Sequence, residues 1–347
     1  MLQRDLSIYL AQPDVILVDA MRRIDENGKG ILFITDTENH LLGSLTDGDI
    51  RRCIIRTGNL QKKAEEAMLT QPRYFTLQTA EDPHAYMESL KIHALPMLDG
   101  DGRVVDIVFY NEDESGENTE LKMVPVVIMA GGQGTRLYPY TRVLPKALIP
   151  IKEKTISEHI IDSFASFGAE EFWFVLNHKK NMIKAYFTEQ QHKGSISYVE
   201  ESKVLGTGGG VRLLQGKIKD TFILTNCDIL IRDDLSKIYR HHKEHGNRVT
   251  MVCSLKEYTL PYGVVHTGEG GAIRSMEEKP KMSYLVNTGC YVVEPDVIDT
   301  IPEDTAIGFP DVIEGLRLSG EKVGIYPISE NAWLDMGEMD LLEKALV

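Results

Sequence analysis

In "MAGGQGTRLYPYTRVLPKALIPI", residues 129–151, Gly131, Gly132 and Gly134 are followed by Arg136 and, further along, by Lys146. A turn built from glycines exposes several backbone N–H groups at one point, because no Cβ blocks close approach, and such a turn cradles anions. Arg136 adds a planar fork of donors suited to phosphate, and Lys146 adds a compact charge. Pro139, Pro145 and Pro150 are expected to hold the segment extended and to discourage a helix. On these residues alone the stretch reads either as a polyphosphate clamp or as a surface turn with solvated charges. Two other phosphate motifs are excluded. The chain has no G-x-x-x-x-G-K-[ST], and "GGQG" does not fit G-x-G-x-x-G.

Two aspartates could serve a polyphosphate chemistry. "FILTNCDIL" is an apolar strand ending in Asn226 and Asp228, and Asp335 lies in "WLDMG" beside an aromatic. Mg²⁺ prefers carboxylate and phosphate oxygens and often takes only one or two protein carboxylates. Taken singly, each aspartate reads as a cap or turn residue before it reads as a metal ligand. "SMEEKP" offers Glu278 and Lys279, which alone read as a solvated hairpin, and "VNTGCY" offers Asn287 and Thr288. "ISYVEES" ends a strand in Glu200, just before "LGTGG". The ten histidines, including the pair at 241 and 242, are expected at the surface without a role.

The elements that must position these groups alternate. "VPVVIMA" reads as a buried parallel strand that ends at the glycine turn. Thr155 with Glu158 predicts a capping box before a helix whose Ile156, Ile160, Ile161, Phe164 and Phe167 follow helical spacing, with Gly168 closing it. Strand-like runs follow at "FWFVL", "ISYV", "FILT", "VTMVCS" and "YGVVHT", with helical patterns between several of them. That order predicts an α/β fold with a doubly wound, mostly parallel sheet and ligands at the carboxyl ends of its strands.

The whole string resembles the signature of the sugar-1-phosphate nucleotidyltransferases, G-G-x-G-T-R-L-x-P-x-T-x-x-x-P-K. Here it stands as Gly131, Gly132, Gly134, Thr135, Arg136, Leu137, Pro139, Thr141, Pro145 and Lys146. The resemblance runs through six ordered motifs over nearly all of residues 124–345. It implies that Ala130, Gly131, Gly132, Gly134 and Thr135 hold the nucleotide, with Arg136 on the leaving phosphates and Lys146 at the α-phosphate. The Asn-x-Asp strand end and the W-x-D-x-G segment imply that Asp228 and Asp335 bind Mg²⁺; Cys227 replaces the usual glycine between Asn226 and Asp228. "LGTGG" resembles the family's turn near base and ribose, which adds Gly206, Thr207 and Gly208. E-K-P and N-T-G imply sugar-phosphate contacts from Glu278, Lys279, Asn287 and Thr288.

The implied reaction transfers a nucleoside monophosphate from a nucleoside triphosphate to a sugar 1-phosphate, with release of pyrophosphate. In related enzymes a side chain near Glu200 faces the base edge. An ionised carboxylate only accepts hydrogen bonds, and guanine alone offers two adjacent donors, N1–H and the N2 amine. Glu200 therefore points to GTP, with mannose 1-phosphate or a hexosamine 1-phosphate as acceptor; it reads equally as a strand end in solvent or as a ribose contact. The alternatives are a UTP-, dTTP- or CTP-dependent transferase, a transferase on a non-sugar phosphate, or an inactive ligand-sensing subunit.

At 347 residues the chain is expected to hold about two domains. A net charge of −14 argues against nucleic acid, so an anionic substrate must be met by local cations or a metal. Cysteines 53, 227, 253 and 290 are scattered without C-x-x-C spacing, which suggests reduced thiols in a cytoplasm and no structural zinc. No apolar run is long enough to span a bilayer, and no membrane partner is expected. The acidic, polar stretch 111–123 marks the boundary. Residues 1–115 are read as one module, 116–123 as linker and 124–347 as the nucleotidyltransferase domain.

The first module reads as a repeat. "VDAMRRIDENGKGILFITDTENHLLGSLTDGDIRRCI" and the segment from Ala64 to Tyr110 each place an apolar strand, an acidic turn ("DTEN", "DGDG") and another apolar strand at matching positions. It resembles the cystathionine-β-synthase-type (CBS) pair, an α+β module. The resemblance implies an adenine nucleotide near Thr46 and Asp49 in "GSLTDGDIRR", or homo-oligomer formation. In the register that pairs Gly43 with Asp106, the second repeat has Phe109 for the threonine and Glu112 for the aspartate. Removal of residues 1–120 is expected to leave a folded, active domain.

Overall fold

The computed structural model describes residues 6–76, 83–110, 119–190 and 192–337. The chain divides into two compact units, one of Met1–Ser115 with Leu255–Val286, the other of Gly116–Ser254 with Asn287–Val347.

The second unit is built on a seven-stranded sheet. Its order is Ser195–Glu200, Glu171–Leu176, Val126–Ala130, Phe222–Asn226, Lys281–Val293, Val249–Thr259 and Val323–Ile328. The first four strands are mutually parallel. Lys281–Val293 runs antiparallel to Phe222–Asn226, and the last two strands are parallel to each other. The Val126–Ala130 strand is buried along its whole length. Its side chains alternate between two cores: Val126, Ile128 and Ala130 join the helices Ile156–Ala165 and Lys180–Glu189 on one face, and Val127 and Met129 join the helices Gly206–Arg212 and Phe309–Leu318 on the other. A strand covered on both faces must be apolar at every position, which is why "VVIMA" does not alternate.

The Thr155 capping box forms as expected: Thr155 N–H donates to Glu158 Oε2 at 2.7 Å, and Glu158 N–H to Thr155 Oγ1 at 3.3 Å. The prolines act differently from the expectation. They do not hold residues 135–150 extended but cut the segment into single helical turns, Thr135–Leu137, Tyr140–Val143 and Lys146–Leu148. Proline is tolerated at the start of a helical turn, where its missing N–H is not needed, and each turn here follows one or precedes the next.

The first unit repeats one motif twice. The three-stranded sheets Leu10–Ala11, Ile31–Thr35, Leu41–Thr46 and Phe75–Thr76, Ala94–Leu98, Val104–Phe109 share the same order, one parallel and one antiparallel pairing. The register is also shared. Ile31 opposes Thr46 and Ala94 opposes Phe109, and each hairpin has its irregularity one step after Ile34 or Met97. Both acidic turns close alike: Asp36 Oδ1 accepts from the N–H groups of Glu38 and His40, and Asp99 Oδ1 from those of Asp101 and Arg103. Glu112 and most of the 111–123 stretch lie outside the described residues. The grouping of Leu255–Val286 with this unit differs from a simple division near residue 120. Leu255 and Leu285 pack into the core formed by Leu17, Met21, Ile50 and Ile54, so part of the downstream chain supplies the core of the upstream module.

Candidate functional site

The glycine turn follows the Val126–Ala130 strand directly. Gly134 has φ +67°, a region open to glycine at little cost, and a Cβ there would lie 2.8 Å from Thr141 Cγ2. Thr141 Oγ1 donates to the Gly134 carbonyl at 2.8 Å, so the turn is fixed from inside the signature. Lys179, which sequence reasoning missed, clamps the same segment by donating to the carbonyls of Thr141 at 2.8 Å and Arg142 at 2.7 Å. Gly132, Thr135 and Arg136 remain exposed, and no ion pair holds the Arg136 guanidinium among the described residues. It is therefore available to an anion.

Asp228 and Asp335 are brought together by a short ladder. Ile229–Ile231 pairs antiparallel with Trp333–Asp335, with Ile229 opposite Asp335. Met336 N–H donates to the Asp228 carbonyl at 2.8 Å, which locks the crossing. Lys146 forms an ion pair with Asp228, and both side chains are largely buried. Gly337 N–H donates to Asp335 Oδ1 at 2.8 Å. A Cβ on Gly337 would fall on the Lys146 ammonium, 2.6 Å from Asp228 Oδ2 and 2.8 Å from Asp335 Oδ1. One cation and two carboxylates thus converge on a point where only a glycine fits. Burial pushes the Asp335 carboxyl up, and the Asp228 charge adds to this against the Gly337 N–H, Lys146 and Arg136. Two neighbouring like charges, Asp228 buried and Asp335 half-buried, are a set that a divalent cation would relieve, and two carboxylates with phosphate oxygens suit a hard metal ion.

Arg136, Thr207, Asn226, Asp228, Asn287, Thr288 and Asp335 line one open cavity of about 270 Å³, with Tyr291, Pro310 and Trp333 as its larger apolar walls. Asn287 Nδ2 donates to Tyr291 Oη at 2.8 Å, and its Oδ1 accepts from Gly289 N–H at 2.9 Å, so its amide is oriented before any ligand arrives. The Thr288 hydroxyl is spent on the Val252 carbonyl at 2.8 Å. "LGTGG" is not a plain turn. It opens the helix Gly206–Arg212, with the Thr207 hydroxyl accepting from Phe309 N–H at 2.9 Å. A Cβ at Gly208 would lie 2.9 Å from Val312 Cγ2 and 3.0 Å from two carbonyl oxygens, so the close packing of this helix on residues 305–312 explains the glycines.

Glu200 needs a correction. Its carboxylate is not turned toward the glycine loop but is bound by Lys180 and Lys184, whose hydrogen bonds lower it to about 2. The inward carboxylate is its neighbour. Glu201 is buried, accepts from Asn177 Nδ2 at 3.2 Å, and lies where a Cβ on Gly131 or Gly210 would come within 2.8 Å of its oxygens. Burial pushes its carboxyl up. The physical reason is strand alternation: Val199 points in, Glu200 out and Glu201 in again. Sequence reasoning placed the strand's end correctly, and of its readings of Glu200 the one of a strand end in solvent matches the exposed position.

Two further expectations meet the structure. His242 is not at the surface. It is fully buried, with Nδ1 2.8 Å from Thr250 Oγ1 and Nε2 3.1 Å from Glu294 Oε1, and burial outweighs the Glu294 charge to push the imidazole down. The Thr46 and Asp49 side chains cap the helix Asp47–Thr57. Asp49 N–H donates to Thr46 Oγ1 at 3.2 Å, Thr46 N–H to Asp49 Oδ2 at 2.9 Å, and Arg52 to Asp49 Oδ1 at 2.5 Å. Glu278 and Lys279 belong to the first unit, between the strands Ile273–Glu277 and Lys281–Val293. Lys279 has φ +48°, the left-handed region that side chains with a Cβ rarely adopt. All four cysteines are free and buried, and no described helix is long and apolar enough to cross a membrane.

The mostly parallel sheet thus leads from the Val126–Ala130 strand into a glycine turn, and Arg136, Asp228 and Asp335 line one cavity of this α/β unit. The profile of the nucleotidyl transferase family matches residues 125–346, well over half of the chain, and the chain belongs to that family. A CBS domain profile matches residues 5–56. A UTP–glucose-1-phosphate uridylyltransferase of Synechocystis is 32% identical over 61% of this chain and 60% of its own length. A mannose-1-phosphate guanylyltransferase of Mycobacterium tuberculosis is 31% identical over 62% of this chain and 61% of its own. The chain thus spans about three fifths of the length of these curated relatives. Among solved structures, HddC from Yersinia pseudotuberculosis complexed with GMP-PN superposes with a TM-score of 0.51 at 21% identity, covering 65% of this chain and 98% of that one, which shows the shared fold.

Proposed function

We propose that the protein transfers a nucleoside monophosphate from a nucleoside triphosphate to a sugar 1-phosphate, releasing pyrophosphate and forming a nucleotide sugar for surface-glycan synthesis. The observation that carries the reading is the convergence of Lys146, Asp228 and Asp335 on Gly337, together with a glycine turn that carries an exposed arginine. A phosphate oxygen of the sugar 1-phosphate attacks the α-phosphorus in line as the bond to the β-phosphate oxygen breaks. The nucleophile is already anionic, so no strong general base is required; what must be overcome is repulsion between two polyanions. Ala130, Gly131, Gly132, Gly134 and Thr135 present backbone donors to the phosphates, Arg136 neutralises the leaving β- and γ-phosphates, and Lys146 leaves Asp228 for the α-phosphate. Gly206, Thr207 and Gly208 flank the nucleoside. Lys279 and Glu278 hold the phosphate and hydroxyls of the sugar, with Asn287 and Thr288 lining its cavity.

Enzymes of this family use a divalent metal, and Mg²⁺ is the ion proposed here. Asp228 and Asp335 would hold it, and bound there it would neutralise phosphate charge. GTP is the proposed donor and mannose 1-phosphate or a hexosamine 1-phosphate the acceptor. The carboxylate argument for guanine is carried over from Glu200 to Glu201, which is buried beside Gly131. The uridylyltransferase relative keeps UTP as the second reading. The proposed domains are 1–115, a tandem CBS module binding an adenine nucleotide near Thr46 and Asp49 or forming a homo-oligomer, and 124–347, in a cytoplasmic protein. Pyrophosphate release from GTP with a panel of sugar 1-phosphates, phosphocholine and an Asp228→Asn blank tests the reading. Release with a sugar phosphate, abolished in the blank, supports it; release with phosphocholine alone refutes the sugar.

A further inference from the structure

Segment Leu255–Val286 carries Glu278 and Lys279, yet its structural support comes from the N-terminal module. The hairpin Val264–Thr267 with Ile273–Glu277 is a two-stranded ribbon, exposed at nearly every position. Such a ribbon is at best marginally stable alone. Lys279 adds a left-handed backbone at φ +48°, a conformation that is costly for a residue with a Cβ and persists only when its surroundings hold it.

The surroundings are specific. Leu260 N–H donates to the Pro280 carbonyl at 3.0 Å, closing the base of the loop beside Lys279. Glu257 then joins the two strands below it to the helix Leu17–Asn27. Its Oε1 accepts from Lys281 at 3.1 Å and its Oε2 from Arg22 at 3.2 Å, with the carboxylate only 13% exposed. Arg22 is itself held by Asp19 at 3.0 Å. Beneath this chain of charges, Leu255 and Leu285 enter the core of Leu17, Val18, Met21, Ile50 and Ile54. The last two belong to the helix that Thr46 and Asp49 cap.

We propose that the N-terminal module sets the affinity for the sugar 1-phosphate by positioning Lys279 through the Arg22–Glu257–Lys281 bridge and the shared Leu255–Leu285 core. This rests on the reading of Lys279 as the sugar-phosphate cation. Arg22 and Glu257 are positioning residues, so control by the module falls on the acceptor substrate, and the donor triphosphate is spared.

The experiment is steady-state kinetics on full-length Arg22→Ala, Arg22→Lys, Glu257→Gln and Lys279→Ala, varying GTP and mannose 1-phosphate separately, with a melting curve for each. Arg22→Ala and Glu257→Gln are expected to raise the KM for the sugar 1-phosphate about threefold, in keeping with loss of a partly exposed pair, while the KM for GTP stays within error. Arg22→Lys is expected to recover most of that rise. An equal effect on both KM values, or none in folded Arg22→Ala and Glu257→Gln when Lys279→Ala does raise the sugar-phosphate KM, overturns the inference. If Lys279→Ala leaves that KM unchanged, the reading of Lys279 itself falls, and the inference with it.

Discussion

Lys146 and Asp228 form an ion pair across 82 residues of sequence, and the pair is the pivot of the site. Asp228 also raises Asp335, while Lys146 acts the other way. The two partners should therefore differ in stability but not in activity. Lys146→Ala and Asp228→Asn are each expected to lower turnover by about two orders of magnitude, the cost of one preorganised charge. Lys146→Ala leaves two carboxylates facing each other and should melt earlier than Asp228→Asn without metal. Activity near wild type in both variants under matched Mg²⁺ refutes the assignment.

Gly337→Ala tests the convergence itself. The added methyl would meet Lys146, Asp228 and Asp335 together. Turnover is expected to fall at least tenfold, because a small misplacement of charged groups is costly. Metal binding, followed by Mn²⁺ electron paramagnetic resonance, should weaken in parallel. Wild-type metal affinity and turnover in this variant would show that the three groups do not act as one site.

The pH dependence follows from the buried carboxylates. Glu201 and Asp335 are both raised in the folded protein by burial. A raised folded value means that the stability they contribute is present below the ordinary carboxylate range and is lost as pH climbs through the raised values. The metal-free protein should thus lose stability from these two groups as pH climbs from the ordinary carboxylate range, about 4, through their raised values. Mg²⁺ should relieve the Asp335 part, so its stabilising effect should grow with pH across that window. A metal-induced shift in melting temperature that does not vary with pH contradicts this.

Much of this site was legible in the sequence because its parts sit at strand ends. The glycine turn after "VVIMA" and the Thr155 capping box follow from local pattern, whereas Asp228 and Asp335, each alone a cap or turn residue, stood out only through the family resemblance. Glu201 was missed by one residue, although the inward Val199 two positions earlier carried the signal through strand alternation. Lys179 was not legible, since it acts through contacts with residues far away in the chain; Gly337 stood in the W-x-D-x-G segment, but the convergence of Lys146 and Asp228 on it did not. The union of Leu255–Val286 with the N-terminal core was hidden for the same reason: apolar periodicity says that Leu255 and Leu285 are buried, not against what. That union also reverses the expectation for truncation. Removing residues 1–120 would expose both leucines, and the truncated protein is now expected to aggregate or to lose affinity for the sugar 1-phosphate.

Base choice separates Glu201 from Glu200. Glu201→Gln is expected to lower kcat/KM for GTP at least tenfold and to narrow the gap to UTP, because an amide offers guanine only one acceptor. Glu200→Gln should leave the ratio of GTP to UTP unchanged, its carboxylate being engaged by Lys180 and Lys184. The ratio of kcat/KM values in the two variants is the measurement; a shift in Glu200→Gln alone would restore the outward residue as the base reader.

The most direct measurement is mass spectrometry of the products formed when the full-length protein meets equal GTP, UTP, dTTP, CTP and ATP with mannose 1-phosphate and Mg²⁺, alongside Asp228→Asn. The account predicts a nucleotide sugar and equimolar pyrophosphate, with GDP-mannose dominant and no product from the variant. No nucleotide sugar from any triphosphate with mannose 1-phosphate, glucose 1-phosphate or the hexosamine 1-phosphates, or equal product from Asp228→Asn, would contradict it.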